Sequence, residues 1–168
     1  MSLNDQHAAF MKEALKTARE DEREVPVGAV VVRDGQVIAR AHNERETGEN
    51  DPFGHAEMIA MRRAAKALGR RRLSDCTLYV TLEPCPMCAG AMLLAELGSC
   101  FYAAFDPGMG CCGSVYDLSQ DEAFPRQVQS AGGLLEKESE DLLRRFFESK
   151  RKAPTGEREQ VSQTGVTD

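Results

Sequence analysis

Two cysteines in the segment Pro84-Cys85-Pro86-Met87-Cys88 have the clearest potential for chemistry in this sequence. The prolines suit the start of a helix, which places both thiols where free N–H groups and the helix dipole stabilise thiolates. Such a pair can bind one metal ion, act as a redox dithiol or form half of a four-cysteine zinc site. No second C-x-x-C segment occurs in the chain, which disfavours the four-cysteine site.

The remaining cysteines do not offer further metal ligands by their spacing. Cys111 and Cys112 are adjacent, which is a poor spacing for closing a four-cysteine site. Cys76 and Cys100 lie in predicted strands, where they are expected to pack as small apolar side chains. The sequence shows no export signal, so we expect free or metal-bound thiols rather than disulfides.

A third ligand is best sought in His55-Ala56-Glu57, which precedes the cysteine pair by one predicted strand. A single histidine before a helix is more often a cap or a surface residue, so the inference depends on its combination with Glu57 and the thiols. One histidine and two cysteines leave a fourth tetrahedral position for water, as in catalytic zinc sites. Zinc lowers the pKa of such a water to about 7, and Glu57 can transfer its proton. H-x-E followed by P-C-x-x-C is the signature of zinc-dependent nucleobase deaminases.

The elements that position these groups are predicted from hydrophobic periodicity and turn residues. Helices are expected over residues 6–21, about 55–68, 86–95 and in a closing segment containing Leu135, Leu142, Leu143 and Phe146. Strands are expected over residues 27–33, 37–39, 76–82, 99–105 and near Val128, with Asp34-Gly35 as a two-residue hairpin turn. The apolar run 76–82 is typical of a central strand buried on both faces. This alternation predicts an α/β domain whose sheet is covered on both faces.

Composition limits the size and the partners of this domain. The 168 residues are 42% hydrophobic and 29% charged, so we expect one domain over residues 1–152 and a disordered polar tail over 153–168. The formal net charge of −6 argues against a uniformly basic surface for nucleic acid. Two basic runs, within residues 62–72 and 150–152, are exceptions that a dimer could bring to one rim. A solvated helix face is the ordinary explanation of such runs.

No targeting or membrane segment is visible in the sequence. Residues 1–25 mix Lys, Glu and Asp throughout and lack the apolar core of a signal peptide. The longest apolar stretch, residues 89–95, is too short to cross a bilayer. We therefore expect a cytoplasmic protein.

Beyond these motifs, residues 5–152 resemble the bacterial tRNA adenosine deaminases of the TadA type. The resemblance is carried by Arg23-Glu-Val-Pro-Val-Gly-Ala29, His42-Asn43, His55-Ala-Glu57, Leu78-Tyr-Val-Thr-Leu-Glu-Pro-Cys85, Met87-Cys-Ala-Gly-Ala-Met92, Gly113-Ser114 and Phe146-Phe147. It implies a cytidine deaminase-like three-layer α/β/α sandwich with a central mixed sheet of about five strands. It also implies a homodimer, one catalytic Zn²⁺ per chain, and conversion of the wobble adenosine of tRNA-Arg to inosine in the anticodon loop.

The resemblance assigns a metal site and a base pocket to residues at matching positions. His55, Cys85 and Cys88 would hold the zinc ion, and Glu57 would transfer protons. The base pocket would contain Asn43, as a hydrogen-bond partner of the flipped-out base, together with Val27 and the backbone around Ala56 and Glu83.

Further contacts with RNA are implied outside the base pocket. Asp106 matches an aspartate that touches the neighbouring nucleotide, and Lys150 and Arg151 match basic residues near the RNA backbone. The presence of two phenylalanines at positions 146 and 147 is explained in large part by packing in the core. The substrate base must be unstacked in a single-stranded loop, because a base in a duplex cannot be reached.

The sequence departs from the family pattern at three places. Phe53-Gly54 stands where the family has Thr-Ala, Pro125-Arg126-Gln127 stands where Asn-His-Arg is frequent, and the loop after Asp106 lacks a common lysine. These departures weaken the expectation of ordinary tRNA contacts but leave the zinc residues intact. Three alternatives therefore stay open: a free-base deaminase acting on guanine or cytosine, a non-catalytic zinc-stabilised binding protein, and a redox dithiol protein. Glu57 disfavours the second, because a structural zinc site has no use for it.

Overall fold

The computed structural model describes residues 3–47 and 50–152, and its elements alternate as predicted. They are α1 (Leu3–Thr17), β1 (Gly28–Arg33), β2 (Gln36–His42), α2 (Ala56–Leu68), β3 (Cys76–Leu82), α3 (Pro86–Leu94), β4 (Ser99–Ala104), β5 (Gln129–Ala131) and α4 (Glu136–Lys152). Helix α1 ends four residues earlier than predicted, because the charged residues after Ala18 offer no apolar side chain to the core. The predicted disordered tail, 153–168, lies outside the described residues.

The five strands form one mixed sheet in the order β2-β1-β3-β4-β5. Strand β1 is antiparallel to β2 and β3, whereas β3, β4 and β5 run parallel. The predicted Asp34-Gly35 turn joins β1 to β2, and both residues have positive φ values of 50° and 72°, as a type I′ turn requires. Strand β3 lies in the centre of the sheet, which confirms the prediction made from its apolar run.

Helices cover both faces of the sheet. Alternate residues of β1 point to opposite sides: Val31 packs into the cluster formed with α2 and α3, and Val30 packs into the cluster formed with α1. Helix α4 contacts β3 and β4, and its Leu142 packs on the α1 side. The three-layer α/β/α sandwich with a five-stranded mixed sheet is therefore confirmed.

Close backbone contacts attach the outer helices to the sheet. A Cβ on Gly28 would lie 2.2 Å from the carbonyl oxygen of Ala14, so glycine allows α1 to approach β1. Ser139 of α4 is fully buried, and its hydroxyl donates to the carbonyl oxygen of Thr81 at 2.5 Å. Toward the other end of α4, Phe147 is 49% exposed, so the predicted core packing is wrong for this side chain.

Two further expectations concern the thiols and membranes. Cys76 and Cys100 are buried in strands β3 and β4, as predicted. Among the described helices, none combines the length and the apolar character that a bilayer crossing requires.

Candidate active site

The N-termini of α2 and α3 bring the predicted metal ligands together. His55 is the N-cap residue of α2 and Cys85 is the N-cap residue of α3, both with extended backbone angles. Neither side chain forms a capping hydrogen bond, and the two side chains face each other. The Nδ1 atom of His55 lies 3.6 Å from the Sγ atoms of both Cys85 and Cys88. The sequence-predicted ligand set thus forms one group.

The spacing of this group fits a zinc ion. The three ligand atoms of His55, Cys85 and Cys88 all lie within 4.8 Å of one another. Zn–S bonds of about 2.3 Å and Zn–N bonds of about 2.0–2.1 Å give a tetrahedral S···N edge of about 3.6 Å. The two S···N distances of 3.6 Å match that edge. One imidazole and two thiols are also the donor chemistry that zinc prefers.

Local hydrogen bonds favour a thiolate in this group. The hydrogen bond with Cys88 is the main reason that the pKa of the Cys85 thiol falls to about 4, and the bond with His55 lowers it further against the opposing effect of burial. The hydrogen bond between Cys85 and Cys88, together with burial, raises the pKa of the Cys88 thiol. The hydrogen bond with Cys85 raises the pKa of His55. A thiolate is the form of cysteine that binds a metal.

Glu57 lies in the first turn of α2, two residues after the metal-binding histidine. Its side chain is only 3% exposed, and this burial raises the pKa of its carboxyl to about 7. Hydrogen bonding to the backbone and the charge of His55 oppose the shift. A carboxyl group with a pKa near neutrality can both accept and donate a proton at physiological pH.

A cavity of about 310 Å³ opens beside the metal group. Its lining residues are Val25, Val27, Asn43, Arg45, His55, Glu57, Leu82, Glu83, Cys85, Asp106 and Met109. Four residues assigned to substrate binding from the sequence are among these lining residues: Val27, Asn43, Glu83 and Asp106. Ala56 is fully buried and does not line the cavity.

The Asn43 side chain holds two segments of the cavity together. Its Oδ1 atom accepts a hydrogen bond from the backbone N–H of Ala56 at 3.0 Å, and its Nδ2 atom donates to the carbonyl oxygen of Val25 at 3.3 Å. These bonds tie the start of α2 to the segment before β1. One N–H bond of the amide stays available for a ligand, because the group carries two.

Glu83 organises the loop on the opposite side of the cavity. Its buried carboxylate accepts hydrogen bonds from backbone N–H groups of Asp106, Cys112 and Ser114, each at 3.0 Å, and from the Ser114 hydroxyl. Burial alone would raise the pKa of Glu83, but these bonds outweigh it and hold the pKa below its usual value. No local pattern in the sequence indicates this role for the side chain.

Sequence reasoning missed four of the lining residues: Val25, Arg45, Leu82 and Met109. Arg45 is exposed in the polar loop two residues after Asn43, and its charge opposes protonation of His55. Met109 is 56% exposed and lies in the loop after Asp106. The position of Arg45 so close to Asn43 could have indicated it, whereas no local pattern marks Met109.

The basic runs lie away from the cavity. Within α2 and the residues after it, Arg63 pairs with Glu44, Arg70 with Asp75, and Arg72 with Glu96. Lys150 and Arg151 are exposed at the end of α4, and neither lines the cavity. Because α2 and α4 cover opposite faces of the sheet, the two runs do not meet within one chain.

The departures from the family pattern also have structural correlates. A Cβ on Gly54 would lie 2.6 Å from the carbonyl oxygen of Glu44, so glycine permits the backbone bond between Glu44 and Gly54 at 2.8 Å. Phe53 is 61% exposed beside this contact. Arg126 forms an ion pair with Glu96 at 3.2 Å, outside the cavity lining.

Comparison with known proteins agrees with this site. Residues 4–104 match the family model of the cytidine and deoxycytidylate deaminase zinc-binding region. The fold and the site therefore define a zinc-dependent deaminase.

The chain is 48% identical over 160 residues to the tRNA-specific adenosine deaminase of Bacillus subtilis (strain 168), covering 94% of this chain and 99% of that protein. A relative of the same name in Streptococcus pyogenes serotype M18 is 40% identical over 145 residues, covering 85% of this chain and 91% of that protein. The chain belongs to the tRNA-specific adenosine deaminase family.

Solved structures of deaminases share the fold of this chain. A structure from a study of A-to-I editing by tRNA:A34 deaminases at the wobble position superposes with a TM-score of 0.74 and 43% identity, covering 80% of this chain and 98% of that chain. The guanine deaminase of Nitrosomonas europaea superposes with a TM-score of 0.72 at 25% identity, covering 83% of each chain. The fold is thus shared by deaminases of both polynucleotide and free-base type.

Proposed function

We propose that this protein is a zinc-dependent hydrolase that converts the wobble adenosine of a tRNA anticodon loop to inosine. One observation carries the proposal. The buried Glu57 lines the same cavity of about 310 Å³ as His55 and Cys85 of the metal group, in a chain that is 48% identical to a tRNA-specific adenosine deaminase. Within the tRNA pool, we propose tRNA-Arg as the substrate.

The chemistry is divided between the metal group and one carboxyl. His55, Cys85 and Cys88 would hold zinc, which when bound lowers the pKa of a water molecule from about 15.7 to about 7. Glu57 accepts a proton from the attacking water and transfers it to the ring nitrogen beside C6 of adenine. Glu57 then takes the remaining proton of the hydroxyl group added at C6 and passes it to the C6 amino group, so that the C6–N bond breaks, ammonia departs and the carbonyl of inosine forms. Its burial beside His55 suits both transfers, because the carboxyl is shielded from bulk solvent and reached only through the cavity.

The cavity selects a single unstacked nucleotide. Its volume is at the lower end of the range for small-molecule sites, so the target base must leave its stack to enter. Asn43 offers its remaining N–H to the base, with Val27 against the ring. Asp106, Met109 and Arg45 are placed to contact the neighbouring nucleotides. Lys150 and Arg151 add an electrostatic contact to the RNA backbone.

The active protein is a homodimer of a single-domain chain (residues 1–152) in the cytoplasm. A largely apolar groove of about 210 Å³ between α2 and α3 supports the homodimer; its lining consists of Met58, Met61, Ala65, Leu73, Ala91 and Ala95 together with Arg62 and Arg71. Leu94 beside it is 81% exposed. Sedimentation equilibrium tests it: wild type should sediment as a dimer and Leu94→Glu as a monomer, and a monomeric wild type contradicts it.

The decisive experiment compares polynucleotide and free-base substrates. Zinc-loaded protein is incubated with an unmodified tRNA-Arg transcript and, separately, with adenine, guanine and cytosine. Inosine at the wobble position, detected by nucleoside mass spectrometry, is the expected product. Ammonia released from free guanine or cytosine alone would instead support the second candidate, a free-base deaminase, which the similarity to the Nitrosomonas europaea guanine deaminase favours. No turnover of any substrate would support a non-catalytic zinc protein.

A further inference from the structure

Glu83 is a buried charged side chain whose carboxylate takes no part in the chemistry proposed above. It is 2% exposed and stands two residues before the metal ligand Cys85. Its carboxylate accepts four hydrogen bonds, and all four come from Asp106, Cys112 and Ser114 in the loop formed by residues 106–114. We call this segment the 106–114 loop.

The loop supplies the compensation that the buried charge needs. Across residues 3–47 and 50–152, the ion pairs include none with Glu83. A buried carboxylate without such a partner is costly unless hydrogen bonds satisfy its oxygen atoms. Backbone N–H groups can do so only when the 106–114 loop keeps this conformation. The charge and the loop conformation therefore stabilise each other.

The loop also turns around the carboxylate at a residue that has no side chain. A Cβ on Gly110 would lie 2.3 Å from Cδ and Oε2 of Glu83. The Gly110 N–H donates to the carbonyl oxygen of Asp106 at 2.8 Å, and the Cys111 N–H donates to that of Pro84 at 2.8 Å. The second bond attaches the loop to the turn that carries Cys85.

This arrangement connects one wall of the substrate cavity to the metal group. Asp106 and Met109 line the cavity, and Oδ1 of Asp106 accepts backbone hydrogen bonds from Gly108 at 2.9 Å and Met109 at 3.1 Å. The conformation of the loop therefore determines where Asp106 and Met109 can contact the neighbouring nucleotides. The loop in turn is anchored to Glu83.

We propose that Glu83 is a positioning residue that sets the distance between the metal group and the cavity wall that receives the nucleotide beside the target base. This inference rests on the proposed function. A residue that acts in this way controls the binding of an RNA loop without touching the reacting atoms. An ordinary structural carboxylate would instead affect the folded fraction of the protein alone.

The test is Glu83→Gln in the full-length zinc-loaded protein. The amide places N–H bonds where the Asp106 N–H and the Ser114 hydroxyl now donate, so the loop loses part of its anchor. We expect KM for an anticodon stem-loop RNA to rise about tenfold, while kcat changes less than about threefold. Zinc should stay at one equivalent per chain. Amide hydrogen exchange, measured by mass spectrometry, should accelerate within residues 106–114.

Two further variants keep the test decisive. Asp75→Asn makes the same chemical change at the opposite end of β3, where Asp75 binds Arg33 and Arg70, and should leave KM unchanged. Ser114→Ala removes only the hydroxyl donor, so it should fold even where Glu83→Gln does not, and KM should rise about two- to threefold.

Three outcomes would overturn the positioning role. They are an unchanged KM with unchanged exchange, a fall in kcat and zinc content without a rise in KM, and an equal rise of KM in Asp75→Asn. Wild-type protein that does not deaminate the stem-loop contradicts the proposed function instead. In that case, amide hydrogen exchange within residues 106–114 of Glu83→Gln still shows whether Glu83 fixes the conformation of this loop.

Discussion

The Nδ1 atom of His55 lies 3.6 Å from the Sγ atom of Cys85, although the two residues are 30 positions apart in the chain. Each stands at the N-cap of a helix, and both helices pack on the same face of the sheet. The metal group therefore exists only when α2 and α3 are docked. Metal binding and folding are coupled in such an arrangement, because the unfolded chain has no preformed site.

Removal of a ligand should release the metal and destabilise the fold. We expect Cys88→Ala to lower zinc from about one equivalent to less than about 0.1, measured by atomic emission, and to lower the melting temperature by several degrees. Cys76→Ala, which removes a buried thiol outside the group, should keep its zinc. Activity lost to a chelator should return with Zn²⁺. Recovery with a reductant in place of zinc would support the redox dithiol alternative.

Loss of the Glu57 carboxyl should separate catalysis from metal binding. Glu57→Ala and Glu57→Gln are expected to retain zinc and fold, because Glu57 is not among the three ligand residues. Turnover should fall by about 10²- to 10⁴-fold, the usual contribution of a general acid–base group. Single-turnover inosine formation at equal zinc occupancy measures the effect. Wild-type rates in either variant would contradict the assigned proton transfer.

A methyl group at Gly28 should separate α1 from the sheet. The new Cβ would lie 2.2 Å from the carbonyl oxygen of Ala14, and neither backbone can yield easily. We expect Gly28→Ala to lower the free energy of unfolding by about 2–4 kcal/mol in urea titrations. Gly90→Ala in α3 is the matched control, because its Cβ would meet nothing within 4 Å. It should be neutral or stabilising by up to about 1 kcal/mol, and an equal loss in both variants would refute the steric argument.

Acid should remove the stabilisation that Glu24 provides. Burial would raise the pKa of this carboxyl, but hydrogen bonds from Thr47 and Glu46 outweigh it and lower the pKa from 4.5. Since the folded-state pKa is the lower one, the unfolded chain binds the proton more readily, and stability falls as pH drops below about 4.5 through the folded value. Urea unfolding between pH 3 and pH 6 should show a shallower pH dependence for Glu24→Gln than for wild type. Parallel curves would contradict this assignment.

Charge at the end of α4 should contribute to RNA affinity through the phosphate backbone. Lys150→Ala and Arg151→Ala should each weaken stem-loop binding and lower the slope of log affinity against log salt by about 0.7–1. Fluorescence anisotropy at several salt concentrations gives both values. Arg70→Ala provides the control, because Arg70 already pairs with Asp75. A salt slope that falls as much in Arg70→Ala would place the RNA on the other face of the sheet.

Local patterns in the sequence were sufficient for most elements and for the metal group. The apolar run 76–82 and the Asp34-Gly35 turn predicted β3 and the hairpin, because each pattern has a direct geometric cause. The metal group was predictable because the His55 segment and the Cys85 segment both precede helices, separated by one strand.

Features that depend on tertiary packing were not predictable in this way. The basic runs of α2 and α4 lie on opposite faces because the chain crosses the sheet between them, which no charge pattern reveals. Glu83 was expected to contribute through its backbone, yet its side chain holds a loop that begins 23 residues later. Phe147 was expected in the core, but α4 is anchored through Ser139 and leaves that ring 49% exposed.

The turn at Gly110 gives neighbouring positions of one loop unequal freedom to mutate. Any side chain at position 110 would enter the space of the Glu83 carboxylate, whereas Met109 is 56% exposed and lines the cavity. A lineage or a laboratory library that explores new nucleotide contexts can therefore vary position 109 while the loop keeps its shape. Substitutions at position 110 would instead give misfolded or inactive chains. A position that tolerates substitution is therefore directly followed by one that does not.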